Sequence, residues 1–407
     1  MIKGNAKLMK SFNKFNVTNC IINEGPLSCE EIVKKTNLSR PTVVEILKEV
    51  LNENLISKIG IGEYAGGRIP VLYGIEPMGR FALAIDFEYP KVKIAIINFA
   101  NDIIIDKTFY FVNGAKPSAI LDKLLHEVDA LIDSFEYQKE KIIGICVALP
   151  GIINSNNGMS VKIERIADWV NVPVKEIFEQ RYGIETLINN DVHIMAFFQR
   201  KLYSNLPDDF IYIGVRFGIG MAVVRADGFD SGCNGNAGFL GHTTISMDGP
   251  KCVCGKTGCL ESYSGELALI EKYRCLSGLE WDFSENAYDI LLRQAKEGDK
   301  AAHKLLKEAF KGLAIGAANA IKIIDVQTIV IDGFSTEKFF QYFNYFRELI
   351  TNYLYEELHK DLQILWYAKD SDMAVKACGY YIFSHYIKSI LEQPTALGNK
   401  YFLNYNR

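Results

Sequence analysis

Two similar sets of apolar, β-branched runs restrict the fold of this chain more than any other feature. FALAIDF (81–87), KVKIAIINF (91–99) and IIIDKTFYFV (103–112) follow one another with short polar breaks, the pattern of a strand meander. A helical segment over Ser118–Phe135 and the apolar strand KIIGICVALPG (141–151) come next, then a helix near Lys175–Tyr182 and the strand TLINND (186–191). The scheme recurs in FIYIGVRFG (210–218) and GIGMAVVRADG (218–228), a long insert with helices, and the runs VQTIVIDGF (326–334) and ILWYA (364–368). Each set combines meander strands with later parallel ones, which predicts two α/β lobes with a cleft between them.

At 407 residues the chain exceeds the roughly 100–200 residues of one domain. No stretch approaches the ~18 unbroken apolar residues of a membrane span. The N-terminal MIKGNAKLMKSFNKFN is basic and polar, without the apolar core of a secretory signal. These features predict a cytoplasmic protein with reduced cysteines, in which closely spaced thiols indicate metal before disulfide. The net charge of −4 is unevenly divided. Residues 1–80 hold eight Lys and three Arg against eight Glu, a net of +3, so the remainder carries −7. A basic head on an acidic body suits a small nucleic-acid-binding module, although ordinary surface variation produces similar numbers.

The head, residues 1–75, reads as helices and a hairpin. An apolar helical rhythm over Leu8–Asn23 stops at Gly25-Pro26. Ser28 with Glu31 forms a capping box for SCEEIVKKT, Asn37-Leu38 makes a turn, and Ser39 caps RPTVVEILKEVLNEN. Two helices joined by a tight turn form a helix-turn-helix, whose second helix enters the major groove by its N-terminal end. Ser39, Arg40, Thr42 and Lys48 are the candidate DNA contacts there, while Val43, Ile46, Leu47 and Leu51 are expected to be buried. Strand-turn-strand sequence follows, with Gly66-Gly67-Arg68 at the tip of a wing that would place Arg68 in a minor groove. A surface turn, or a winged helix used only for protein contact, is the alternative.

Three constellations in the body carry chemistry. His242 followed by Cys252, Cys254 and Cys259 supplies three thiolates and an imidazole, the donor set of a closed, structural Zn2+ site. Asn190-Asp191 ends a strand where an α/β fold opens onto its cleft. Asp191 there either serves as a base, hydrogen-bonds a polyol, or merely caps the next helix. Gly218-Ile219-Gly220, with Gly228, Gly232 and Gly235, either presents backbone N–H groups to oxygens or forms hairpin turns.

Together these residues resemble the ROK family (repressor, open reading frame, kinase) over nearly the whole chain. Pro150-Gly151, Asn190-Asp191, Gly218–Gly220, AGFLGH (237–242) and the run from Cys252 to Glu261 are similar to the family's motifs. The resemblance implies an α/β architecture in which an N-terminal winged helix-turn-helix is followed by a two-lobed, actin-like (ribonuclease-H-like) ATPase and sugar-kinase fold. The body would span 76–407, with lobe 1 at about 76–190 plus a C-terminal helix at about 372–395, and lobe 2 at about 191–371. It implies sugar contacts from Gly151, Asn190, Asp191, His242 and Glu261. The family's transcriptional regulators are typically dimeric repressors governed by sugars, so the expected partners are a double-stranded DNA operator, a sugar effector and a second copy of the chain, as a homodimer or dimer of dimers.

Departures from the pattern bear on activity. The kinases' Asp-x-Gly-Gly-Thr phosphate loop is replaced by Asp86-Phe87-Glu88-Tyr89-Pro90, whose bulk, charge and missing N–H donor oppose ATP phosphates. Asp191 without a phosphate cradle lacks the positioning that phosphoryl transfer needs. The family's sugar-contacting Glu is Phe239 here, and His193 stands where Asn is common. The expectation is a non-catalytic, sugar-gated repressor of carbohydrate-utilisation genes. The alternatives are a sugar kinase with an appended winged helix and a regulator gated by a protein partner.

Overall fold

The computed structural model describes residues 6–61, 69–112, 114–135, 139–203, 205–226, 228–281, 285–334, 338–368 and 370–392. In the head, helix α1 (Ala6–Glu24), strand β1 (Leu27–Ser28), α2 (Cys29–Thr36), α3 (Arg40–Asn52), β2 (Ile56–Ile61) and β3 (Val71–Ile75) form a helical cluster beside a sheet of order β1-β3-β2. The caps are those expected. Ser28 Oγ accepts from the Glu31 N–H while the Glu31 carboxylate accepts from the Ser28 N–H, and Ser39 Oγ accepts from the Thr42 N–H. The buried stripe of α3 is Val43, Ile46, Leu47 and Val50. Leu51 is only half-buried, because a stripe at i, i+3, i+4 and i+7 passes through position 50. Gly66, Gly67 and Arg68, the tip of the expected wing, lie outside the described residues.

The body opens with β4 (Phe81–Glu88), β5 (Lys91–Asn98), β6 (Ile103–Tyr110), α4 (Pro117–Asp133) and β7 (Ile142–Leu149). It continues through the short strands β8 (Ile152–Asn154), β9 (Met159–Lys162) and β10 (Val170–Val172), then α5 (Val174–Tyr182) and β11 (Thr186–Asn190). The first large sheet has the order β11-β7-β4-β5-β6, antiparallel among the meander strands and parallel for β7 and β11. Every residue of β4 is buried, as a strand covered on both faces requires, and its sequence is accordingly a near-continuous apolar run.

After α6 (Asp191–Leu202), the second sheet is built from β12 (Phe210–Val215), β13 (Ile219–Arg225), β14 (Gly228–Asp230), β15 (Thr328–Asp332) and β16 (Gln363–Tyr367), in the order β14-β13-β12-β15-β16. Its helices are α7 (Glu261–Ser264), α8 (Glu266–Ser277), α9 (Ala287–Lys296), α10 (Lys300–Ile324), α11 (Phe340–Tyr353) and α12 (Glu356–His359). Helix α10 runs 25 residues with small residues on its buried face. A Cβ at Gly316 would stand 2.5 Å from the end of the Leu260 side chain, so the glycine lets the helix lie close beneath it. That close approach seats the loop before α7 against the core.

The last helix, α13 (Met373–Glu392), crosses back to the first lobe. One buried apolar cluster joins Val17 and Ile21 of α1, Val43 and Ile46 of α3, Ala196 and Phe198 of α6, and Val375 and Ile387 of α13. The head's core is therefore continuous with the body's. Among the described residues no helix is long and apolar enough to cross a membrane.

Candidate functional site: an interlobe cavity beside a Cys3His cluster

The two sheets present their strand ends to a cavity of ≈ 120 Å³ between the lobes. Asn190, Asp191, His193, Phe239, His242 and Glu261 all line it, as does Gly151. Gly151 holds φ +81°, and a Cβ there would stand 2.2 Å from the Lys162 carbonyl oxygen, so the turn needs glycine. The residues expected to meet a sugar are thus brought together.

The capping role at α6 falls to Asn190, whose Oδ1 accepts from the Val192 N–H at 3.0 Å. Its Nδ2 donates to the Gly151 carbonyl at 3.4 Å. Asp191, the first residue of the helix, is left for other work. Its carboxylate meets Arg216, at the end of β12, whose Nη1 lies 3.1 Å from Asp191 Oδ2. The same guanidinium donates from Nη2 to Asp86 Oδ2 at 2.6 Å and from Nε to Glu88 Oε1 at 2.8 Å. One cation thus faces three buried carboxylates. Burial pushes the Asp191 carboxyl up to about 6, with the Arg216 charge opposing and Asp86 and Glu88 adding to the shift. The Arg216 guanidinium is held well above its ordinary value by the three carboxylates, against the cost of its burial.

In the sequence Asp86 and Glu88 read as obstacles to phosphate, and Arg216 does not stand out. Its signal was a charged residue between an apolar strand and the glycines of FGIG.

On the opposite wall, Glu261 Oε2 accepts from the Ile219 N–H at 3.1 Å and Oε1 accepts from Arg165 Nη2 at 3.3 Å. The glycine-rich turn at 218–220 therefore directs a backbone donor to a side chain of this chain. Glu261 keeps acceptor capacity, because an ionised carboxylate offers about four lone-pair positions. His193 is buried with Nε2 2.9 Å from the Ala237 carbonyl oxygen, so that nitrogen donates. Burial lowers its pKa, keeping the ring neutral.

His242, Cys252, Cys254 and Cys259 bring their ligand atoms within 4.8 Å of one another. His242 Nδ1 is 3.6 Å from Cys252 Sγ, and Cys254 Sγ is 3.7 Å from Cys259 Sγ. A tetrahedron with metal–sulfur bonds of ~2.3 Å and metal–nitrogen bonds of ~2.0–2.1 Å has edges of about 3.8 and 3.6 Å. The donors fit a tetrahedral cation, and Nδ1 ligation leaves His242 Nε2 for the cavity.

In the head, Ser39, Arg40 and Lys48 are exposed and Thr42 is half-buried. The Ser39 and Thr42 hydroxyls bond each other at 2.7 Å. Lys14 of α1 pairs with Glu49 of α3 and with Glu53, the residue that caps it, at 3.0 and 2.7 Å, fixing the rear of that helix. Arg40 and Lys48 are left facing outward, with no ion-pair partner among the described residues.

A head of three helices and a small sheet on a two-lobed body, with a cleft cavity flanked by a Cys3His cluster, defines the class of protein. The ROK family model matches residues 82–382, and the chain belongs to that family. The chain is 28% identical over 337 residues to the xylose repressor of Caldicellulosiruptor bescii, covering 81% of this chain and 84% of that protein. A crystal structure of a ROK family transcriptional regulator, a homologue of the E. coli MLC protein, matches with a TM-score of 0.76 at 22% identity, over 94% of this chain and 99% of that one. The ROK glucokinase of Streptomyces griseus matches with a TM-score of 0.61 at 17% identity, over 74% of this chain and 98% of that one. The body therefore has the two-lobed fold shared by the family's regulators and sugar kinases.

Proposed function

We propose that this chain is a DNA-binding transcriptional repressor gated by a sugar in the interlobe cavity, and that it does not phosphorylate that sugar. The observation that carries the reading is the Arg216 cluster. It draws Asp86 and Glu88, which stand in place of the kinases' phosphate loop, onto the same guanidinium as Asp191. Arg216 ties up the Asp191 carboxylate, and the two further carboxylates on it repel a nucleotide's phosphates. The continuous head–body core and the outward-facing Arg40 and Lys48 supply the other half of the reading. Ser39, Arg40, Thr42, Lys48 and Arg68 would meet operator DNA, and a homodimer would span two half-sites.

The same charges define the effector. Both arginines of the cavity are engaged: Arg165 on Glu261, and Arg216 on three carboxylates. Among the described residues lining the cavity no free Lys or Arg remains for a phosphate group, while Asn190, Asp191, Glu261 and His242 offer hydroxyl partners and Phe239 a stacking face. Gly151 shapes the turn beside them. The effector is accordingly an unphosphorylated sugar. Zn2+ held by His242, Cys252, Cys254 and Cys259 would be structural, cross-linking the loop before α7 to the cavity wall.

Isothermal calorimetry with D-xylose, D-glucose and N-acetylglucosamine, each beside its phosphate ester, tests the reading. Binding of a free sugar with silence from its ester is expected. Silence from every free sugar, or sugar-dependent ATP turnover by the purified chain, would refute it.

A further inference from the structure

One side chain of the first lobe crosses the cleft at the cavity. Arg165 stands in the turn between β9 and β10, and that turn is pinned on both sides. Ile163 and Ile166 are buried in the core of the first lobe, and the Ile166 N–H closes the turn on the Ile163 carbonyl at 3.1 Å. Trp169, also buried, donates from Nε1 to Ser160 Oγ at 2.9 Å. With its backbone held in this way, Arg165 lines the cavity. Its Nη2 reaches Glu261 Oε1 of the second lobe at 3.3 Å.

Glu261 is held as firmly. Its Oε2 accepts from the Ile219 N–H at 3.1 Å. A Cβ at Gly218 would stand 2.5 Å from that oxygen, and one at Gly265 would stand 2.8 Å from Glu261 Cγ, so the side chain lies packed on glycine backbone. The pair thus joins two fixed partners, yet it is incomplete. Its single contact is longer than the ~2.7–2.9 Å of a charge-assisted hydrogen bond. Arg165 makes no other hydrogen bond or ion pair among the described residues. A guanidinium carries several N–H donors, and an ionised carboxylate has more acceptor positions than Glu261 fills.

A group that both donates and accepts completes such a pair, and a hydroxyl is one. Lying against both partners, it donates to Glu261 Oε1 and accepts from an Arg165 N–H. A phosphate dianion only accepts, and Glu261 repels it. We propose that Arg165 is an effector-contacting residue, which together with Glu261 reads one particular sugar hydroxyl from both lobes at once. This deepens the reading of the cavity as a sugar site and rests on it.

A cycle that pairs side chain with hydroxyl tests this by calorimetry on the full chain. Whichever of D-xylose, D-glucose and N-acetylglucosamine binds the wild type is titrated beside its singly deoxygenated analogues, one for each hydroxyl. The proteins are the wild type, Arg165→Met and Arg165→Lys, with Arg165→Gln in place of Arg165→Met if that variant does not fold. Loss of one hydroxyl is expected to weaken wild-type binding at least about tenfold, the scale of a hydrogen bond to a charged group. Arg165→Met should bind the parent sugar at least about tenfold more weakly. It should then lose less than about threefold when that same hydroxyl is removed, with the penalties at the other hydroxyls unchanged. Arg165→Lys, which keeps a cationic donor, should recover part of the affinity for the parent sugar and none for the analogue lacking that hydroxyl. A residue that only shaped the wall would weaken every sugar alike. The same penalties at every hydroxyl in Arg165→Met as in the wild type therefore overturn the proposal and leave the sugar site standing. Silence of the wild type toward all three sugars removes the site itself, and the role of Arg165 with it.

Discussion

Arg216 is the residue on which the interior of the cleft depends. Removing one partner of a buried ion cluster leaves the others uncompensated, at a cost of roughly 3–5 kcal/mol. Arg216→Met should lose about that much stability at pH 8 and recover part of it at pH 5, where the orphaned carboxylates can take up protons; urea unfolding at the two pH values measures both. Asp191 contributes its own pH dependence, and the sign follows from its raised pKa. With a folded-state value of about 6 against an ordinary 3.8, the native state binds more protons between those limits. Stability from this group therefore grows as pH falls through 6 and is absent at pH 8. From pH 8 to pH 5 the gain is on the order of 1 kcal/mol, and Asp191→Asn should abolish it. An unchanged pH dependence in Asp191→Asn would mean that the carboxyl is not held up by burial.

At the level of elements, the loop from His242 to Glu261 joins the metal cluster to the cavity. Backbone bonds from Leu260 N–H to Thr243 O and from Ile245 N–H to Gly258 O close it on itself, and Glu261 follows directly as a cavity wall. Purified protein should contain about one zinc per chain by elemental analysis. Chelation, or Cys259→Ala, should lower the melting temperature and weaken sugar binding together. A full-strength sugar site in zinc-free protein would separate the loop from the cavity.

This loop and the helix caps were legible in the sequence because their determinants are local. Ser28 with Glu31, Ser39 with Thr42, and the Cys-x-Cys spacing act over a few residues. The strands were legible because burial on both faces writes long apolar runs. Val50 displaced Leu51 from the α3 stripe because the phase of a helix is set by what it packs against. The clasp of Asp86, Glu88, Asp191 and Arg216 was not legible, since three chain segments far apart in sequence meet only once both lobes are folded. The seat of α1 on α13 was hidden for the same reason.

For the whole molecule, the continuity of one core from the head to the cleft matters most. A repressor must convert occupancy of its cavity into a change in how its heads meet DNA, and the coupling is reciprocal in free energy. A head on a free linker would bind DNA indifferently to the cavity, whereas this head packs on α13 and shares a core with the body. The direct measurement is fluorescence anisotropy of an operator duplex, selected from a random library by the wild-type protein, titrated with and without the free sugars. A free sugar is expected to weaken operator binding at least about tenfold, a coupling of about 1.4 kcal/mol, while its phosphate ester has no effect. Operator affinity that stays constant across the whole panel of free sugars would contradict sugar gating.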